Sequence, residues 1–172
     1  MGEDHRGTDA RRLNGTVLVR VTERAPFAIW QNGGRFAIVD RDGRTVASDR
    51  LDAFGPLPLI VGPGAEKHAA ALYDLLRDAP DVLARTQALV RIGDRRWNLR
   101  LHSGTDVMLP EGHEAAAITR LRDLQSRQAL LDRPLQAVDM RLPDRLVLRP
   151  NPPPAPTAPE RPQPTPVRGR TG

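Results

Sequence analysis

The residues that could carry out chemistry are few and lie far apart along the chain. No two of the four histidines have the spacing that places a pair of metal ligands on one helix face, and no serine stands in the Gly-x-Ser-x-Gly turn of a hydrolase. The chain has no cysteine, which excludes thiol catalysis, thiolate metal sites and disulfides. We therefore expect no catalytic residue, no metal and no cofactor. The weaker alternative is an enzyme that uses His102 or His113 together with Asp106.

Two short motifs resemble the beginnings of ligand-binding loops. "DRDGRT", which begins at Asp40, has the first acidic residues of a calcium loop but lacks the distal glutamate that completes the oxygen shell. A hairpin turn accounts for the same residues. "VGPGAEKH", which begins at Val61, places glycines before a helix, where free N–H groups can hold an anion. Because it lacks the Gly-Lys-Ser/Thr ending of a phosphate loop, the motif predicts a helix start.

Composition limits the remaining functions. The 172 residues carry a formal charge of +5, with a pI near 11.0, which raises the possibility of nucleic-acid binding. Lys67 is the only lysine, arginines alternate with Asp and Glu along the whole chain, and aromatic residues make up only 3%. This pattern favours an evenly charged surface over a phosphate-binding stripe. No apolar run approaches the ~20 residues of a membrane span, and the N-terminus lacks the apolar stretch of a signal peptide.

The elements that would position any site are mostly strands. Alternation of apolar and polar residues in "TVLVRVTE", "RFAIVD" and "ALVRI" predicts strands, and "QNGG", "DG" and "GD" between such segments predict tight turns. Because these turns are too short for parallel crossovers, we expect an antiparallel meander. Two segments have helical periodicity instead, one after Gly64 that ends at "DAP" and one from about Gly112 to Leu131. The predicted fold class is α+β, with an antiparallel, meandering sheet and two helices packed on it.

We expect one folded unit with flexible ends. Residues 1–15 are polar and contain glycine, and we interpret them as a flexible leader before a β-domain at 16–149. Residues 150–172 hold nine of the 17 prolines and almost no large apolar side chain, so they cannot bury enough surface to offset the entropy of ordering. This Pro/Arg-rich tail is predicted to be disordered, and a spacer is favoured over a PxxP ligand.

The last segment of the predicted domain, "VDMRLPDRLVLRP", alternates apolar and charged residues and then gives way to the tail. Such a segment is either the closing strand of a sheet or an edge that is open to another chain. The alternation directs the two leucines of "DRLVLR" toward the core and leaves Arg145, Val147 and Arg149 on the other face. The arginines could pair with an acidic partner segment, or they could serve only to discourage aggregation at an edge.

Four phrases occur in an order and spacing that resemble one protein family. They are "VRVTERAPFAIWQNGGRFAIVDRDG" (Val19 to Gly43), "LPLIVGPGA" (Leu57 to Ala65), "RRWNLRLHSGTDVMLP" (Arg95 to Pro110) and "VDMRLPDRLVLRP" (Val138 to Pro150). Together they resemble the extracytoplasmic β-domain of the FtsQ/DivIB family of bacterial cell-division proteins, in its alphaproteobacterial form. The resemblance covers about residues 16–150.

The resemblance implies a non-catalytic scaffold of the division machinery. Members of the family are single-span inner-membrane proteins that carry a POTRA domain and this β-domain outside the membrane. They hold a complex with FtsB and FtsL and so help to control septal peptidoglycan synthesis. The chain is therefore expected on the periplasmic side of the inner membrane at the septum, with FtsB/FtsL-type partners and no nucleic acid. The alternative from another class is a basic nucleic-acid-binding protein with an Arg/Pro-rich tail.

The resemblance also implies a partner-binding surface at the last helix and the terminal strands, where a partner segment adds a strand. An edge strand offers unpaired N–H and C=O groups, which strand addition satisfies. The residues expected to bind the partner are Leu142, Asp144, Arg145, Leu146, Val147, Leu148 and Arg149.

The printed sequence departs from the family pattern because it contains neither the membrane helix nor the POTRA domain. We expect a fragment, a truncated gene model or a free-standing relative. Membrane association is expected only through an N-terminal anchor that this sequence does not include.

Overall fold

The computed structural model describes residues 8–13, 15–21 and 23–156, so the predictions for 1–7 and 157–172 lie outside it. The strands are β1 (Thr8–Leu13), β2 (Thr16–Val21), β3 (Ala28–Asn32), β4 (Arg35–Val39), β5 (Thr45–Ala47), β6 (Leu59–Val61), β7 (Thr86–Ile92), β8 (Arg96–Leu101), β9 (Asp106–Met108), β10 (Leu135–Asp139) and β11 (Val147–Pro150). The helices are α1 (Ala65–Arg77), α2 (Pro80–Arg85) and α3 (Glu114–Gln128), with short 3-10 turns at Leu51–Phe54 and Leu130–Asp132.

Nine of these strands form one sheet in the order β11-β10-β9-β8-β7-β6-β3-β4-β5, which places β11 at one edge and β5 at the other. Most neighbouring strands are antiparallel, but β3–β6, β6–β7 and β9–β10 are parallel. The predicted antiparallel meander is wrong at these three pairs. The segment after β5, the helices α1 and α2, and the helix α3 are crossover connections, which parallel neighbours require. The fold is therefore α+β with a mostly antiparallel sheet.

The predicted hairpin turns are confirmed. Gly33 and Gly34 link β3 to β4 with φ values of 57° and 76°, the two positive angles that a two-residue hairpin turn needs. Between β4 and β5, Asp40 Oδ1 accepts hydrogen bonds from the N–H groups of Asp42 (3.0 Å) and Arg44 (2.9 Å). The "DRDGRT" motif is thus a hairpin turn, whose first carboxylate is used by its own backbone.

The two predicted helices are present as α1 and α3, and the sequence missed α2. The "DAP" segment ends α1 after Arg77, as predicted. Pro80 is also the first residue of α2, where its missing N–H costs nothing. The "VGPG" motif is the start of α1, as predicted. It packs closely, since a Cβ added to Gly62 would lie 2.6 Å from the carbonyl oxygen of Arg91 on β7.

One face of the sheet and all three helices enclose the hydrophobic core. Its members include Leu72, Leu76, Val82, Ile118 and Leu121 from the helices and Ile60, Leu89, Leu99, Val107 and Val138 from the strands. A cross-strand row on this face runs from Leu89 through Leu99, Val107 and Val138 to Leu148. The core therefore continues to the edge strand β11.

The opposite face of the sheet has a row of its own. In register from β4 to β11 it comprises Phe36, Gln31, Val61, Val90, Asn98, Met108, Asp139 and Val147. The two ends of the row are exposed and the residues between them are half-buried. We call this the outer face.

A strand occupies part of the expected leader. Thr8–Leu13 pairs antiparallel with Thr16–Val21, from Thr8↔Val21 to Leu13↔Thr16. The sequence "NG" at 14–15, between the two strands, is a strong hairpin signal. The other domain boundaries stay predictions.

Candidate partner-binding edge

β11 pairs with a neighbour on one side only. Its register with β10 is Asp139↔Val147, Val138↔Leu148 and Ala137↔Arg149, and within the described part of the chain no strand lies on its other side. The predicted edge strand is therefore present, over Val147–Pro150.

The direction of one hydrogen bond shows which backbone groups face the open side. The N–H of Asn151 donates to the carbonyl oxygen of Pro134 at 3.0 Å, toward β10. Successive residues of a strand direct their backbone groups to opposite sides. The N–H and C=O groups of Arg149 and Val147 therefore also point to β10, while those of Leu148 point to the open side. Pro150 faces the open side as well, where a proline removes no ladder hydrogen bond.

The side chains of β11 alternate as the sequence predicts. Leu146 and Leu148 are half-buried and pack against the core. Val147 is 42% exposed, and Arg145 and Arg149 are exposed. The edge therefore offers one large apolar side chain between two cations.

The two other predicted site residues lie on the connection between β10 and β11. Leu142 is 54% exposed, Asp144 is exposed, and the N–H of Arg145 donates to the carbonyl oxygen of Leu142 at 3.3 Å. Four large apolar side chains are exposed among the described residues, and two of them, Leu142 and Val147, flank this edge. The connection and the strand thus each expose one large apolar side chain.

Sequence reasoning missed the ion pair that holds this connection. Asp139 accepts hydrogen bonds from Arg141 Nε at 2.9 Å, Arg141 Nη2 at 2.7 Å and the Arg141 backbone N–H at 3.0 Å. These bonds hold the pKa of Asp139 below its ordinary value and raise that of Arg141, and the charge of Arg149 also lowers the pKa of Asp139. A signal was available, because an Asp that ends a strand often binds the N–H two residues on.

A groove of about 530 Å³ opens near the end of β11, beside Pro134. It is lined by Ala84, Arg85, Leu101, His102, Ser103, Leu131, Asp132, Arg133 and Pro134. Arg85 and Asp132 form an ion pair at 3.1 Å across it. The pKa of Asp132 is lowered, first by its hydrogen bond from Gln125 and then by Arg85.

The His–Asp alternative gains no support from this groove. His102 lines it, but Asp106 and His113 do not, and Asp106 is held by Arg100 at 2.6 Å on the outer face. No group of three acidic or histidine side chains within the described ranges could hold a metal ion. Over the same part of the chain, no helix has both the length and the apolar character needed to cross a membrane.

Comparison with known proteins gives relatives among the cell division proteins. The chain is 42% identical over 135 residues to the cell division protein FtsQ of Rhizobium meliloti, covering 78% of this chain and 44% of that protein. It is 37% identical over 140 residues to FtsQ of Caulobacter vibrioides, covering 81% of this chain and 46% of that protein. The chain thus spans less than half the length of either relative.

A solved structure, the major extracytoplasmic domain of the trans isomer of the bacterial cell division protein DivIB from Geobacillus stearothermophilus, covers 63% of this chain. The identity is 15% and the TM-score 0.41.

One protein-family model matches most of the described residues. It is the model for "Cell division protein FtsQ/DivIB, C-terminal", and it matches residues 28–141. These residues span the sheet from β3 to β10 and all three helices. The match ends before β11, so the identification of β11 as the edge strand comes from the structure and not from the family match. With the identities to relatives from several alphaproteobacteria, this match shows that the chain belongs to the FtsQ/DivIB family of cell division proteins.

Proposed function

We propose that this chain is a non-catalytic scaffold in bacterial cell division and that it binds an extended segment of an FtsB/FtsL-type partner along β11. The observation that carries the proposal is the open edge of β11, with exposed Val147 between Arg145 and Arg149. Family membership supports the role in division. By the same proposal the chain works on the periplasmic side of the inner membrane at the septum and helps to control septal peptidoglycan synthesis.

Side chains must supply much of the binding energy. The open side of β11 offers the N–H and C=O of Leu148 and the C=O of Pro150, and each hydrogen bond contributes about 0.5–1.5 kcal/mol net. Micromolar binding needs about 8 kcal/mol. Strand addition alone is therefore too weak, and apolar contact with Val147 and Leu142 together with ion pairs to the arginines must provide the rest.

The side chains of β11 define the chemistry of the partner segment. On the outer face, a paired strand meets Val147 and Arg149 at alternate positions, and it passes the exposed Arg145 just before β11. The complementary segment has an apolar residue at one position and acidic residues two positions before and two positions after it. Cross-strand pairs of opposite charge stabilise a sheet, and like charges destabilise it. A second copy of this chain is a poor occupant, since it would gather the arginines of two edges on one face.

Nucleic-acid binding, the alternative that composition suggests, has less support. Several arginines are already paired with acidic residues, as in Arg41–Asp74 at 2.6 Å and Arg100–Asp106 at 2.6 Å. Such pairing leaves fewer cations for the row of phosphate contacts that dominates nucleic-acid affinity.

The test is a calorimetric titration of the full chain with the extracytoplasmic segment of the cognate FtsB. Val147→Asp and Arg149→Glu are each expected to weaken binding at least about tenfold, the effect of roughly 1.4 kcal/mol. The controls are Phe36→Asp and Arg35→Glu on β4, toward the other edge of the sheet, where both side chains are exposed. These substitutions match the first two in chemistry and should leave the affinity unchanged.

Equal affinity for all four variants would contradict docking at β11. Retardation of DNA or RNA at low salt, abolished by moderate salt, would favour the nucleic-acid alternative instead. A proline at 147 would be a poor test, because the N–H of Val147 faces β10 and its loss would weaken the native sheet.

A further inference from the structure

We infer that Asp139 is a positioning residue for the docking edge: it clamps the connection between β10 and β11 and so presents β11 to its partner in a fixed orientation. The part of this inference that concerns affinity rests on the proposed function. The clamp itself is a property of the free chain.

The geometry gathers three hydrogen bonds on one carboxylate. Asp139 is the last residue of β10 and lies opposite Val147, the first residue of β11. It binds the guanidinium of Arg141 through both carboxylate oxygens and the backbone N–H of Arg141 through Oδ1. The Asp139 side chain is only 12% exposed, whereas that of Arg141 is 42% exposed. The carboxylate is thus the fixed end of the pair and the arginine is the part that it orders.

Other contacts hold the connection mainly at its two ends, where Met140 is buried and Leu146 packs against the core. The N–H of Met140 donates to the carbonyl oxygen of Met108 at 2.9 Å, and the N–H of Arg145 donates to that of Leu142 at 3.3 Å. Between these two points the side chains from Leu142 to Asp144 are exposed. Because β11 is only four residues long, its orientation depends on how firmly the preceding residues are fixed. A charge-assisted, bidentate pair is the strongest contact available to fix them.

The clamp also determines which charges the partner meets. Arg141 is neutralised by Asp139 at 2.7 Å, whereas Arg145 and Arg149 have no ion-pair partner among the described residues. The cations that an acidic segment finds at the edge are therefore Arg145, just before β11, and Arg149 on it, whereas Arg141 belongs to the clamp.

The experiment compares a graded series with a matched control. Asp139→Asn keeps an acceptor for the N–H of Arg141 but loses the ionic pair, and Asp139→Ala loses both. Asp106→Asn and Asp106→Ala break the Arg100–Asp106 pair, which lies on the neighbouring strand of the same face. Free energies of unfolding are measured for all four variants, so that a general loss of stability is separated from a local effect.

The first measurement is amide hydrogen exchange of Arg145, Val147 and Arg149 in the free, full chain, because the N–H of Arg145 is bonded to Leu142 and those of Val147 and Arg149 face β10. Exchange is expected to rise at least about fivefold in Asp139→Ala and less in Asp139→Asn, because local opening follows the contacts that close a segment. It should not change in the Asp106 variants. Exchange rates equal to those of the controls would overturn the clamp, whether or not any partner binds.

The second measurement is the affinity of the same variants for the FtsB segment. Asp139→Ala is expected to bind about tenfold more weakly, the cost of losing roughly one charge-assisted hydrogen bond, and Asp139→Asn should bind with intermediate affinity. Faster exchange with unchanged affinity would overturn the positioning role and leave the docking edge intact. Failure of the wild-type chain to bind would instead count against the proposed function, and the exchange data would still decide the clamp.

Discussion

Gln125 joins the end of α3 to the 3-10 turn at Leu130–Asp132 through both ends of its amide. Its Oε1 accepts the backbone N–H of Leu131 at 2.7 Å, and its Nε2 donates to Asp132 at 3.0 Å. The residue is only 8% exposed. We predict that Gln125→Ala lowers the free energy of unfolding by about 1–3 kcal/mol, because the buried N–H of Leu131 loses its acceptor. Urea denaturation checks this, with exposed Gln128→Ala as the control, which should stay within about 0.5 kcal/mol of wild type.

Asp139 makes the free energy of unfolding depend on pH in the acid range. Its pKa in the folded state is lowered by the hydrogen bonds from Arg141, so the stabilisation is fully present above the ordinary Asp pKa of about 3.9. It is lost as the pH falls through the lowered value. We predict that wild type loses more stability than Asp139→Asn between pH 5 and the acid limit of folding, to be measured by urea denaturation at several pH values. Parallel pH profiles for the two proteins would contradict this, and the exposed Asp49→Asn should follow wild type.

At the scale of residues, the sequence predicted which way the side chains near β11 face but not which groups they bind. Alternation alone was enough to predict that Leu146 and Leu148 face the core and that Arg145 and Val147 do not. The three hydrogen bonds of Asp139 were missed because they depend on the rotamer of Arg141 and on the burial of the carboxylate. Neither property produces a periodic pattern in the sequence.

At the scale of elements, the "VGPG" loop approaches the backbone of β7 too closely for a side chain at Gly62. Gly62 has φ 102°, and a Cβ there would meet the backbone oxygen of Arg91, which cannot rotate away. Gly93 also has positive φ, at 59°, but a Cβ there would meet no atom within 4 Å. We predict that Gly93→Ala costs about 1–2 kcal/mol, the penalty of the left-handed conformation, and that Gly62→Ala costs clearly more. Equal losses in thermal or urea unfolding would show that β7 moves aside freely.

Local sequence patterns predicted the strands and helices well, but they did not predict which strands are neighbours in the sheet. The hairpins β3–β4, β4–β5 and β7–β8 were readable because a tight turn and its two strands are contiguous in sequence. The three parallel pairs join strands that are distant along the chain, so short-range patterns cannot reveal them. The helix α2 was missed because proline marks both the end of one helix and the first turn of the next.

At the scale of the whole molecule, the chain has one covered and one open side. The helices close the core on one face, while the outer face carries a row of half-buried side chains that ends at Val147. Within the described residues, no strand pairs with the open side of β11. The arginines at that edge have two possible roles in this arrangement, recruitment of an acidic segment or prevention of edge-to-edge pairing between copies.

The double variant Arg145→Thr/Arg149→Thr separates these two roles. Threonine keeps the strand propensity of both positions and removes both charges. If the arginines recruit the partner, the variant binds the FtsB segment at least about tenfold more weakly and loses most of the salt dependence of binding, while remaining monomeric in sedimentation velocity. If they only prevent pairing, the variant self-associates as its concentration rises and its affinity for the segment is unchanged. We expect weaker binding as the dominant effect, because exposed Val147 between the two arginines offers a partner an apolar contact that a purely protective edge would not need.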